Sequence, residues 1–149
     1  MPRPDLFLDS SALFAGVVSP GGAARALLLL AEAGQLRITV CEQVVAETER
    51  ALGRKVPRAL PYFREALRST RLRIVREPSP VEIEAHQDVI AHPADVPVVV
   101  AAMKAEVDYL VTLNRRHFID DPGMAARSGL RIGTPGDALN WVREALAEA

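Results

Sequence analysis

The chain has a single cysteine, Cys41, in 149 residues, so it can form no internal disulfide. A reducing compartment suits it. It has almost no net charge: 18 basic and 19 acidic residues leave −1. Taken whole, this excludes a simple basic nucleic-acid binder. Long hydrophobic runs are missing too. The longest, Ala26 to Ala31, falls far short of a bilayer span. The opening Met1-Pro2-Arg3-Pro4-Asp5 has no signal-peptide layout. A soluble cytoplasmic protein, with no membrane partner, is expected. No repeat, low-complexity tract or dividing linker interrupts the chain. His86, His92 and His117 lack the helical spacing of a zinc site, and are expected at the surface or behind a site. What the chain does have is apolar side chain, 49% of its residues. That excludes a disordered segment and suits one domain, residues 1–149, with a real core.

The charge is unevenly spread. Between Arg50 and Arg76 nine basic residues face one acid, Glu65, a net +8, so the remainder carries −9. Such polarity sets a phosphate-binding patch beside an acidic site, or marks a solvated helical face.

Strand and helix patterns alternate. Strands are expected at Leu6–Asp9, Leu36–Val40, Leu72–Val75, Asp108–Leu113 and Leu130–Gly133. Ser10 or Ser11 is expected to cap a short helix ending near Ser19-Pro20-Gly21-Gly22. Ala23–Ala33 reads as a helix stopped by Gly34, and Glu42–Leu52 as one ended by Gly53. Further helices are expected over Pro57–Ser69, Pro80–Ile90 behind a Ser79 cap, Val96–Glu106, and Thr134-Pro135 through Leu146. The alternation predicts an α/β fold: a three-layer αβα sandwich around a mainly parallel sheet of about five strands.

The most informative point is Asp9. The apolar run Leu6-Phe7-Leu8 stops on its carboxylate. An unpaired buried charge is costly, so Asp9 needs hydrogen bonds, water or a cation. Strand ends of a parallel sheet open toward one edge, where ligands bind. Asn114, after the Tyr109 to Leu113 run, belongs at that edge. Asp95 reaches it from the start of a buried helix, and Glu47 flanks it. Clustered carboxylates repel, and a divalent cation removes the conflict; oxygen donors suit Mg²⁺ or Mn²⁺. Each residue also has a plainer role. Asp9 can bond the amides of the next turn, Asp95 can cap its helix, and Asn114 can serve a turn. The helical wheel does not choose between Glu47 and Glu49. Ser10, Ser11, Arg115 and Arg116 are candidates for contacting substrate, and Thr112 for orienting Asn114. Cys41 reads as a small buried hydrophobe. An aspartyl-phosphate role for Asp9 is disfavoured, because position 11 is Ser and no later strand ends on Lys.

In this order, Phe7-Leu8-Asp9-Ser10-Ser11-Ala12-Leu13, Val44-Val45-Ala46-Glu47-Thr48, Ala94-Asp95-Val96-Pro97 and Asp108-Tyr109-Leu110-Val111-Thr112-Leu113-Asn114-Arg115-Arg116-His117-Phe118 resemble the PIN-domain family of metal-dependent nucleases. The resemblance runs from Leu6 to about Leu146 and favours Glu47 over Glu49. It implies hydrolysis of RNA phosphodiesters with Mg²⁺ or Mn²⁺, and a metal and catalytic set of Asp9, Glu47, Asp95 and Asn114. Ser10, Thr112, Arg115 and Arg116 are expected to contact substrate. Many small bacterial single-domain members are toxins of toxin–antitoxin pairs of VapC type and form dimers. An antitoxin partner and a homodimer are therefore expected. Asn114 departs from the Asp of many members, supplying a neutral oxygen in place of a charge. Asp120 and Asp121 follow and read as turn residues. The alternative is a catalytically weak or silent module that binds RNA or protein.

Overall fold

The computed structural model describes residues 3–148. Met1 and Pro2, part of the opening read for a signal peptide, and Ala149 lie outside the described residues. Among the described residues, five strands form one sheet: β1 Asp5–Leu8, β2 Arg37–Cys41, β3 Arg73–Val75, β4 Tyr109–Val111 and β5 Ile132–Gly133. Their order is β3-β2-β1-β4-β5, and every neighbouring pair is parallel. The described residues also form eight α-helices, which connect and flank the strands: α1 Ser10–Val18, α2 Ala23–Glu32, α3 Glu42–Lys55, α4 Leu60–Ser69, α5 Pro80–Ala85, α6 Val96–Ala105, α7 Met124–Ser128 and α8 Pro135–Ala147. The expected α/β sandwich is the observed fold.

The order of connection positions the site. From β1 the chain steps outward to β2 and β3, then crosses back over β1 to β4 and on to β5. Right-handed crossovers put the helices of the two halves on opposite faces. In one group α1 packs on α2 and α3, and α2 on α8; in the other, α6 packs on α5 and α7. The chain therefore leaves β1 and β4 in opposite directions, and a crevice opens between their carboxyl ends.

Local residues explain the elements. Leu6, Phe7 and Leu8 are all fully buried, which is why β1 is a continuous apolar run and not an alternating one. Each such side chain contributes about 1.5–3 kcal/mol by leaving water. Gly34 takes φ +77° after α2, as its stop role requires. Ser79 and Thr134 each close a capping box, with Glu82 and Asp137. No single helix among the described residues is long and apolar enough to cross a membrane.

Four expectations are corrected. Gly53 does not end α3, which runs to Lys55; Val56 leaves helical geometry because Pro57 follows it. A short 3₁₀ turn, Pro57–Ala59, then precedes α4. The helix from Pro80 stops at Ala85, not Ile90. The chain turns after it and buries Val89 and Ile90. Neither serine caps α1: Asp9 holds that position, one residue beyond β1, and accepts from the Ala12 amide. The short helix α7 and a π turn over Arg115–Ile119 had no periodic signal.

Candidate active site

The β1 backbone continues straight into the site, with the Asp9 amide donating to the Val111 carbonyl of β4 at 3.1 Å. The Asp9 side chain is then clamped on both oxygens. Oδ1 accepts from the Ser11 hydroxyl at 2.7 Å and the Ala12 amide at 2.9 Å. Oδ2 accepts from the Thr112 hydroxyl at 2.5 Å. All these donors are neutral. Burial pushes the Asp9 carboxyl above its ordinary pKa; the hydrogen bonds from Thr112, Ser11 and Ala12 pull it back, and the charge of Asp95 pushes it further up. Asp9 therefore plays both roles open to it, helix cap and buried charge.

Thr112 is fully buried, so its hydroxyl works inside the protein. It also accepts from the Asn114 amide at 2.9 Å. Asn114 opens the π turn, its Oδ1 accepting from the His117 amide at 3.2 Å. In the middle of that turn, His117 Nδ1 lies 2.9 Å from Asp95 Oδ2. Asp95 occupies the N-cap position of α6, yet its side chain bonds none of the helix amides. Asp9, Thr112, Asn114, His117 and Asp95 thus form one connected path around the crevice.

Glu47 stands to one side on α3. Its Oε2 accepts from Ser10 at 3.2 Å and its Oε1 from Gln43 Nε2 at 2.6 Å. Glu49 is more exposed and meets Arg64 at 4.0 Å. The charge of Asp95 reaches Asp9, and Glu47 is linked through Ser10 to the start of the helix that Asp9 caps. Glu47, Ser10 and Leu113 line one part of a groove of about 860 Å³ between α1 and α3. Phe14, Arg54 and Lys55 line it as well. Arg115 and Arg116 are exposed on the π turn. Asp121 serves the turn before α7, accepting from the Gly123 amide at 3.0 Å and pairing with Arg127. Cys41 is fully buried, and burial pushes its thiol up to about 12, so it is inert packing.

Among the described residues, no three His, Cys, Asp or Glu side chains gather closely enough to hold a metal ion by themselves. That excludes a closed zinc-type cage among them. It does not conflict with Mg²⁺, which keeps several waters and takes one or two carboxylates. Asp9 and Asp95 would be the two carboxylates to hold it, and Glu47 and Asn114 would add oxygen donors. The donor set fits a hard, partly hydrated cation.

One participant, Gln43, was absent from the site read in the sequence, and His117 was expected at the surface or behind a site, with no partner named. Gln43 lies four residues before Glu47, the spacing at which helix side chains meet, and this was a usable signal. His117 bonds Asp95 across a separation of 22 residues, which no local pattern reports.

A sequence profile described as PIN domain matches residues 5–116. No curated protein sequence matches the chain. Among solved structures, PAE2754 from Pyrobaculum aerophilum superposes with a TM-score of 0.64 at 16% identity, covering 95% of this chain and 90% of that one. VapBC2 from Rickettsia felis, bound to a DNA fragment from its promoter, gives 0.64 at 16%, with coverage of 87% and 98%. VapC20 from Mycobacterium tuberculosis, a sarcin–ricin loop cleaving toxin, gives 0.51 at 19%, with coverage of 70% and 86%. The matched segment runs from the first residue of β1 past Asn114, and the chain belongs to the PIN-domain family.

Proposed function

We propose that this protein is a Mg²⁺- or Mn²⁺-dependent endoribonuclease, working as a single PIN-like unit and as the toxin of a toxin–antitoxin pair. One observation carries the nuclease reading: Asp9 is buried at a strand-end crevice with only neutral donors, and the charge of a second carboxylate, Asp95, reaches it. Two such carboxylates call for a cation. Asp9 and Asp95 would hold it, with Glu47 and Asn114 reached through water. A bound divalent ion supplies an acidified water and neutralises charge on a phosphodiester.

The protein's own groups do the rest. Ser11, Thr112 and the Ala12 amide keep Asp9 from rotating. Glu47, exposed to the groove, accepts the proton of the attacking water. Arg54 and Lys55 on the groove wall hold the RNA backbone and carry little sequence preference. The basic segment is less uniform than its sequence implies. Arg73 is committed to Asp5, and Arg68 pairs with Glu65. The likeness to the VapBC2 complex supports an antitoxin as the partner.

The test is cleavage of RNA by the purified protein with Mn²⁺, with EDTA, and for Asp9→Asn. We expect EDTA and Asp9→Asn each to lower the rate at least about 100-fold, the scale of losing a metal-positioned water. Full activity in either case removes the proposal. A second reading, a silent binding module, is favoured by one observation: the Asn114 oxygen already serves the π turn. Calorimetric titration with Mn²⁺ separates the two, since the nuclease requires binding that depends on Asp9.

A further inference from the structure

We propose that His117 is a positioning residue for Asp95, and that the stacked His92 and His117 rings, not the helix below, set the direction of that carboxylate. The inference rests on reading the Asp9–Asp95 pair as the cation site.

Asp95 ends the 3₁₀ turn Pro93–Asp95 with φ −92° and ψ −13°. A capping side chain normally leaves an extended backbone to reach the amides of the first turn. Asp95 has helical dihedrals instead and makes no such bond. Its support comes from across the crevice, where His117 Nδ1 lies 2.9 Å from Oδ2. An ionised carboxylate has no proton to give, so Nδ1 carries the hydrogen and donates it.

His117 is itself held on every side. Its amide bonds Asn114 Oδ1 at 3.2 Å, and the next amide, of buried Phe118, bonds the Asn114 carbonyl at 3.1 Å. The i→i+5 bond from Asp120 to Arg115, 2.8 Å, gives the turn its π geometry, a form often found at functional sites. The imidazole stacks on His92, with centroids 3.3 Å apart and planes 15° from parallel. His92 in turn accepts the Asp95 amide on its carbonyl at 3.0 Å. The two rings and the two turns therefore brace one another around Asp95.

The need for a brace is electrostatic. Asp9 and Asp95 are carboxylates at the two ends of one hydrogen-bonded path through Thr112, Asn114 and His117, and like charges repel. A partly exposed Asp95 with no restraint would rotate away from Asp9 and toward water. The His117 bond keeps it facing the crevice before any cation arrives. Asn114 gains a role in the same chain: bonded to Thr112 by its amide and to His117 by its side chain, it ties the Asp9 half of the site to the Asp95 half.

The experiment compares wild type with His117→Ala, His117→Asn and His117→Gln. Asn places an amide N–H where Nδ1 stood; Gln places it one bond further out. Calorimetry with Mn²⁺ should show binding about 10- to 100-fold weaker for His117→Ala, the usual scale for losing an outer partner of a metal ligand. His117→Asn should recover most of it and His117→Gln little. RNA cleavage should follow the same order. Equal Mn²⁺ affinity in wild type and His117→Ala overturns the proposal, as does His117→Asn binding no better than His117→Gln. Three-bond couplings of Asp95 in isotope-labelled protein give a second readout that needs no metal. They should report one χ1 rotamer in wild type and His117→Asn, and averaging in His117→Ala; a single rotamer in all three overturns it. If wild type binds no Mn²⁺, the nuclease reading fails, and the couplings alone decide the role of His117.

Discussion

Asp5 and Asp9 sit at opposite ends of β1 and are equally buried, each 7% exposed. Their surroundings differ in kind. Asp5 Oδ2 accepts from Arg37 at 2.8 Å and Arg73 at 3.1 Å, and Oδ1 accepts from Thr39 at 2.7 Å. Arg73 also bonds the Ala105 carbonyl at 2.9 Å, tying the strand to the end of α6. Asp9 receives two hydroxyls and one amide, all neutral, and the one charge it feels is that of Asp95, of its own sign. The amino end of the sheet is electrically complete within the protein. The carboxyl end is complete only when something positive arrives. Binding sites are distinguished in this way from scaffold: both are hydrogen-bonded, but one is left unneutralised.

The contrast is broken most directly by removing the charge at each end. Asp5→Asn leaves two arginines facing each other without a counter-charge. Removing one partner of a fully buried pair costs about 3–5 kcal/mol; these guanidiniums are 41% and 34% exposed, so screening brings the expectation to about 1–3 kcal/mol. Asp9→Asn, measured in EDTA, should lose nothing and gain stability at neutral pH, because it deletes a strained charge. Urea unfolding of both variants checks this. Equal destabilisation would mean that Asp9 is as structural as Asp5.

A smaller effect is expected at Thr112→Val. The shape is kept, but Asp9 Oδ2 and the Asn114 amide lose their partner. Unfolding should register about 1–2 kcal/mol, within the range for stranding buried polar groups. Mn²⁺ binding should weaken as well, since the carboxylate loses its largest stabilising hydrogen bond. Unchanged Mn²⁺ affinity would detach Thr112 from the site.

The smallest and sharpest effect is in pH. Burial holds the folded Asp9 carboxyl above its ordinary 3.8. Between those two values the native state keeps a proton that the unfolded chain has released. The contribution of Asp9 is thus full below 3.8 and falls away as pH rises through the folded pKa. Asp121 and Asp137 are shifted the other way, Asp121 by Arg127 and Asp137 by the Thr134 cap, and gain with pH. The informative quantity is therefore wild type minus Asp9→Asn, in EDTA, across the acid range. It should fall with rising pH and then level off. A flat difference would show that Asp9 carries no electrostatic penalty.

The sequence showed much of this without coordinates. An apolar run stopping at Asp9, an Asn after the Tyr109 strand and an Asp before an apolar helix are local patterns, and each stands at the crevice. Other features were not local. Glu47 and Glu49 lie at opposite borders of one helical face, and only the packing of α3 against α1 turns Glu47 to Ser10 and leaves Glu49 outside. The basic run from Arg50 to Arg76 looked continuous, but folding divides it: Arg54 reaches the groove while Arg73 crosses to the other end of the sheet. Thr112 and His117 matter through what they touch, across 103 and 22 residues, and no periodicity encodes such pairs.

By itself the sequence determined the type of the strands and of every helix but α7, and the strand-end placement of Asp9, because periodicity and burial act over a few residues. Tertiary structure alone decided which strand lies beside β1, which of two aspartates on that strand is neutralised, and what holds Asp95. Those outcomes depend on the order in which crossovers return the chain to the sheet, and electrostatic partners are then assigned by proximity in space.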